Sequence, residues 1–239
     1  MFCWNEEMVR FLRDASEYSD YHARLAAWMA PYLAPTDRIC DVGCGLGYLS
    51  LALLRYVNSI TAVDSSEDAL HVLREKSVGC GNVDILCGDI HRLPPEVPYD
   101  AMVFSFFGKM DEIAAIAAAQ CRGTVFAFKK NYVNHRFSVG EHPVGDDSFP
   151  RAIEWLEERH IPYTSETLAL EMGQPLRSLD DARRFFRLYN HGDDTALTDT
   201  FLRERLLETG CTDFPLYLPQ VRQVGCLRIA AADFRCNVK

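Results

Sequence analysis

The chain has 239 residues, 48% hydrophobic and 25% charged, with 25 Lys and Arg against 34 Asp and Glu for a formal charge of −9. Disorder is excluded, because 14 Phe, 10 Tyr and 3 Trp are spread along its whole length, and the acidic balance argues against a protein built to grip nucleic acid. No stretch approaches the ~20 apolar residues of a bilayer span, and the N-terminal MFCWNEEMVRFLRD places acids where a secretion signal carries positive charge. A cytoplasmic protein with no membrane and no nucleic-acid partner is expected.

Nine Cys occur, an odd number, with no Cys-x-x-Cys pair and no His clustered near them. Neither a disulfide framework nor a metal site is suggested. Most read as small core residues in a reducing compartment.

Residues 1–35 read as two helices. Met8, Phe11, Leu12 and Ala15 mark one apolar face, and Leu25, Trp28 and Met29 mark another, with Asp20 as the N-cap between them. From Arg38 strands and helices alternate. Strands are expected at Ile39–Val42, Ser59–Val63, Val83–Cys87, Ala101–Phe106 and Thr124–Phe128. Helices are expected at Tyr48–Tyr56, Ser66–Val78 and Asp111–Gln120. Continuous apolar strands between amphipathic helices mean a parallel sheet covered on both faces.

Beyond Lys129 the rhythm breaks. A polar loop over Asn131–Ser148 leads to helices at Phe149–His160, Leu179–Tyr189 and Leu197–Glu208, with a strand at Glu166–Glu171 and a terminal strand pair at Phe214–Gln220 and Val224–Ala231. The fold class is therefore α/β: a doubly wound, mostly parallel seven-stranded sheet with an N-terminal helical lid and a helical insertion after strand five. One domain is expected over 1–239, with the lid at 1–35, a binding core at 36–129, a substrate-side insertion at 130–212 and the strand pair at 213–239.

The densest chemical signal is ICDVGCGLGYLS, residues 39–50. An apolar strand enters a turn at Gly43, Gly45 and Gly47, and a helix leaves it. Glycines let the backbone take positive φ and approach a ligand closely, beside the free N–H groups of a helix start. The dinucleotide fingerprint G-x-G-x-x-G would need a third Gly where Tyr48 stands, and no Lys-Ser/Thr follows as in a phosphate-binding loop.

Over about Thr36 to Lys129 the sequence resembles the class I S-adenosylmethionine-dependent methyltransferases, of small-molecule type. The resemblance implies a cofactor turn at Asp41, Gly43, Cys44, Gly45 and Gly47. It places the ribose-binding acid at Asp64 with Ser65 beside it, the adenine contact at Asp89 and Ile90, and the strand-four tip at Ser105. A carboxylate suits a ribose diol, each charge-assisted bond contributing ~1.5–3 kcal/mol. S-adenosyl-L-methionine is the implied cofactor and S-adenosyl-L-homocysteine the product.

On the substrate side, Phe107, Lys130 and Arg136 are expected to meet the acceptor, with Lys129, Lys130 and Arg136 forming a cationic mouth for an anionic one. Tyr18 and Tyr21 stand on the lid, Tyr21 toward the cofactor and Tyr18 toward the substrate. His135 and His22 are the candidate general bases, needed only if the acceptor must lose a proton. Arg183, Arg184 and Arg187 read as a solvated helix face. A small-molecule methyltransferase acting as a monomer or homodimer is expected, against a nucleic-acid or protein methyltransferase or a S-adenosylmethionine-binding protein without transferase activity.

Overall fold

A computed structural model describes residues 4–131, 147–189 and 194–237. Two helices come first, α1 (Glu6–Tyr18) and α2 (Tyr21–Met29). Asn5 caps α1, its side chain accepting from the Met8 amide at 2.8 Å. Asp20, the expected cap of α2, makes no side-chain cap bond. There follow β1 (Arg38–Val42), α3 (Tyr48–Leu53), β2 (Ser59–Asp64), α4 (Glu67–Lys76), β3 (Val83–Cys87), β4 (Tyr99–Ser105), α5 (Met110–Gln120) and β5 (Cys121–Lys130). After α6 (Phe149–Glu158) come β6 (Thr164–Glu171), β7 (Gln174–Leu176), α7 (Leu179–Tyr189), α8 (Asp199–Arg203), β8 (Leu207–Glu208), β9 (Leu216–Leu218), β10 (Val221–Ala230) and α9 (Ala231–Asn237).

Seven strands form one sheet in the order β3-β2-β1-β4-β5-β10-β6. Strands β1 to β5 are parallel, and β10 alone runs against its neighbours β5 and β6. Alternating side chains feed two cores. Val103, Phe126, Phe128, Val224 and Cys226 pack with Leu25 and Met29 of α2 and with Leu49 and Leu53 of α3. Phe104, Val125, Ala127, Leu227 and Ile229 pack with Ile113 and Ala117 of α5, Leu156 of α6 and Phe234 of α9. Both faces are thus covered, which is why these strands read as unbroken apolar runs. Strand order reverses between β1 and β4, opening a crevice at the carboxyl ends of the strands where such sheets bind ligands.

A second, smaller assembly caps one end. Strands β7, β9 and β8 form a three-stranded antiparallel sheet. Its core joins Leu176 and Leu218 to Phe185 and Phe186 of α7, Leu202 of α8 and Phe11 of α1. The N-terminal helix therefore belongs to the same packed unit as the insertion. Two ion pairs reinforce the join: Arg177 grips Asp14 through both nitrogens at 2.5 and 3.0 Å, and Arg10 reaches Asp181 at 2.7 Å.

Three expectations need correction. The helix expected over Leu197–Glu208 is only α8, followed by β8. The terminal strands do not pair: β9 joins the small sheet, while β10 inserts between β5 and β6. A closing helix, α9, packs Phe234 into the core and was not expected. Among the described residues no helix is long and apolar enough to cross a membrane.

Candidate cofactor site

The glycine turn is held by specific bonds. The Gly43 and Cys44 amides donate to the Val63 carbonyl at 2.8 and 3.1 Å, stitching the turn to β2. The Gly45 amide donates to Asp64 Oδ2 at 2.8 Å, and the Ser66 amide donates to Oδ1 at 2.9 Å. All three glycines have positive φ. At Gly47 a Cβ would lie 2.4 Å from the Leu73 side chain of α4, so the turn tolerates nothing larger there. Rings line the other two: Phe107 lies against Gly43 and Trp4 against Gly45.

Below the turn, Asp41 is 1% exposed. Ser50 donates its hydroxyl to Asp41 Oδ2 at 2.6 Å, and Oδ1 has no hydrogen-bond partner among the described residues. Burial pushes this carboxyl up to about 6, with Asp64 adding to the shift and the Ser50 bond opposing it. An acid buried beside a backbone turn, with one oxygen unmet, is poised for a donor or a cation. The Cys44 thiol is pushed well above its ordinary value by burial and the two aspartates, consistent with an inert turn residue.

Asp89 follows β3 and caps a short 3-10 turn, accepting from the His91 amide at 3.0 Å while half-exposed. Ile90, expected against a base, has its side chain packed in the sheet core at 4% exposure. Ser65 is exposed, and Ser105 ends β4 half-buried. Beyond Ser105 the backbone turns sharply, with positive φ at Phe106 and Gly108.

The substrate-side residues divide. Lys130 is exposed at the tip of β5. Lys129 is 1% exposed and is no part of a mouth: its ammonium donates to the Phe107 and Gly108 carbonyls at 2.9 and 2.5 Å, bracing the loop after β4. Burial lowers it to about 8. Tyr18 packs against Tyr217 and Phe214 of the cap. Tyr21 is 2% exposed and meets His22 edge-on at 5.1 Å. The His22 ring stacks on Tyr48 at 5.6 Å, its Nδ1 is buried without a partner among the described residues, and burial, then Arg222, drives it down to about 3. So weak a base is a poor proton acceptor at neutral pH, which counts against the role expected for His22. His135 and Arg136 lie outside the described residues. Of the three arginines of α7, Arg183 meets Asp180 at 2.6 Å and also Asp199, and Arg187 meets Asp194 at 3.4 Å, a surface ion-pair face as expected. No group of three His, Cys, Asp or Glu among the described residues is placed to hold a metal.

Sequence reasoning missed Ser50, Trp4, Arg222 and the true place of Lys129. Only Lys129 left a trace, since strand alternation puts it on the face of Val125 and Ala127.

Asp41, Asp64, Asp89 and Ser105 stand at or just beyond the carboxyl ends of β1, β2, β3 and β4, and residues 39–124, which span all four, match the family model described as a methyltransferase domain. Residues 39–124 are thus similar to methyltransferase domains. Over 74 residues the chain is 34% identical to protein-L-isoaspartate O-methyltransferase 2 of Pelobacter propionicus, covering 30% of this chain and 33% of that protein. Over 73 residues it is 36% identical to ribosomal RNA small subunit methyltransferase A of Dehalococcoides mccartyi, covering 28% and 25%. The chain thus spans a third or less of the length of these two relatives. The YcgJ protein of Bacillus subtilis superposes with a TM-score of 0.53 over 87% of this chain and 97% of that one, at 13% identity, a likeness of fold.

Class I methyltransferase domains use S-adenosylmethionine, and the residues present fit it. Asp64 has acceptor capacity beyond its two amides, and the unmet Asp41 oxygen lies beneath the glycine turn.

Proposed function

We propose that the protein binds S-adenosylmethionine across the tips of β1 to β4 and transfers its methyl group to a small-molecule acceptor, in the cytoplasm, as a monomer or homodimer. The observation that carries this reading is the buried, half-satisfied Asp41 under a three-glycine turn clamped by Asp64. When bound, the cofactor supplies an electrophilic methyl on a cationic sulfur. The chain's own part is positioning: aligning an acceptor with a reactive group can contribute ~7–11 kcal/mol. Asp64 would accept from a ribose diol, Asp89 from an adenine amine, and Asp41 from a donor over the turn. Phe107, whose carbonyl accepts from Lys129, lies against Gly43 and would wall the turn off from water.

The small-molecule reading rests on the charge of −9 and on the absence of an Asn/Asp-Pro-Pro-Tyr sequence after β4, where Ser-Phe-Phe-Gly stands. The two named relatives, a protein and a ribosomal RNA methyltransferase, make macromolecular acceptors the second reading.

Calorimetric titration with S-adenosylmethionine tests the cofactor half. Asp64→Ala should weaken binding by about 2–4 kcal/mol, because it removes two charge-assisted bonds and loosens Gly45. Wild-type affinity in that variant would refute the assignment. Incubation with radiolabelled cofactor and fractionated extract tests the acceptor half: label in the small-molecule fraction supports the proposal, and label in protein or RNA replaces it with the second reading.

A further inference from the structure

Strand β10 enters the sheet at the same edge as the glycine turn. Val224 pairs with Lys130, the last residue of β5, so Arg222 projects beyond the end of β5 at the mouth. Alternation puts Lys130, Val224 and Arg222 on one face, the face that packs on α2, and Lys130 and Arg222 are diagonal cross-strand neighbours. Arg222 is half-buried, with its guanidinium 5.7 Å from the centre of the Tyr21 ring. It is close enough to His22 and to Tyr189, at the end of α7, for its charge to act on both.

Among the described residues neither cation has a hydrogen-bond or acidic partner. The acids of the neighbouring β6 are engaged elsewhere. Glu171 accepts from the Tyr217 hydroxyl at 2.6 Å and the Gln220 amide at 2.8 Å, and Glu166 accepts from the Trp28 indole at 2.7 Å. A half-buried guanidinium 5.7 Å from the Tyr21 ring centre, close enough to His22 for its charge to act there, has the chemistry to receive an oxyanion.

We infer that Arg222, seconded by Lys130, anchors an oxyanion of the acceptor, a carboxylate or phosphate. This rests on the methyltransferase reading and deepens it, giving an acidic protein a local means of drawing an anionic substrate. Arg supplies a planar fork that matches either oxyanion with two parallel bonds, and Lys adds a point charge at the rim.

The test is a thermal-melt titration of the whole protein, with and without S-adenosylhomocysteine, using benzoate, phenyl phosphate and neutral benzamide as probes. Benzoate or phenyl phosphate should raise the melting temperature of the wild type, with benzamide inert, and which of the two acts names the anion. In Arg222→Gln the apparent affinity should fall tenfold or more. In Lys130→Gln it should fall two- to fivefold, and Arg222→Lys should recover part of the loss. Affinity for S-adenosylhomocysteine should be unchanged in all three, which also shows that each is folded. Equal probe binding by wild type and Arg222→Gln, or none by the wild type, overturns the inference. A parallel loss of S-adenosylhomocysteine binding in Arg222→Gln also overturns it, by giving the anion site to the cofactor's own carboxylate. A wild type that ignores S-adenosylhomocysteine yet shows the Arg222-dependent oxyanion response refutes the cofactor reading and leaves the anchor standing.

Discussion

Asp41 carries the sharpest physical consequence of any single side chain. Its carboxyl stands near 6 in the folded protein against an ordinary 3.8, chiefly because burial penalises the charge. Between about pH 4 and pH 6 the folded state keeps a proton that the unfolded chain has released. Stability therefore falls as pH rises through that window, by about 3 kcal/mol for the whole shift. Asp41→Asn removes the titration while keeping an acceptor for Ser50. Urea unfolding at half-unit steps should find variant and wild type alike near pH 4, with the variant gaining over the wild type up to pH 6 and holding the gain at pH 7. S-adenosylmethionine binding should weaken in the same variant. A stability difference that stays flat from pH 4 to pH 7 would mean that Asp41 titrates normally. Other groups that titrate in this range, His22 among them, cancel in the comparison.

Among elements, α3 and α4 meet the glycine turn at one point, Gly47, whose φ of +75° and contact with Leu73 both demand glycine. Gly47→Ala should cost about 1–2 kcal/mol for the left-handed backbone and a further ~1–3 kcal/mol for overpacking. Leu73→Ala in the same chain should recover the packing part and leave the backbone part, so a double-mutant cycle by chemical denaturation separates them. Full additivity would show that the two residues do not touch. This turn was legible in the sequence because it is local: β-strand, glycines and helix follow one another, and Asp64 and Asp89 each sit at a strand end. The parallel strands were legible for the same reason, their apolar runs being continuous. What the sequence hid is non-local. Strand β9 reads like a partner of β10, yet the Glu171 carboxylate takes the Gln220 amide at the start of β10, while Tyr217 of β9 pairs with Pro175 in the cap. Lys129 and Lys130 read as a solvated pair, but neighbours on a strand face opposite ways, and only Lys130 meets solvent.

At the scale of the whole molecule, α1 is the part that ties the cap to the turn. Phe11 lies in the cap core, edge-on to Phe185 at 5.0 Å. Val9, two residues earlier and on the opposite side of the helix, packs with Leu46 of the turn and with Ala69 and Val72 of α4. The cap core and the sheet cores are separate clusters, so damage to one need not spread to the other, whereas α1 belongs to both sides of the join. Phe11→Ala should cost about 3–5 kcal/mol of local stability by opening a cavity among Phe185, Phe186 and Leu218. Hydrogen exchange should then quicken at β7, β9 and α7 while β1, β4 and β5 keep their protection. Because α1 also carries Val9 onto Leu46, affinity for S-adenosylmethionine should fall in the same variant, although Phe11 touches no residue of the turn. Uniform loss of protection in both assemblies would show that they unfold as one unit. Loosened cap exchange with unchanged cofactor affinity would show that α1 holds the turn without help from the cap.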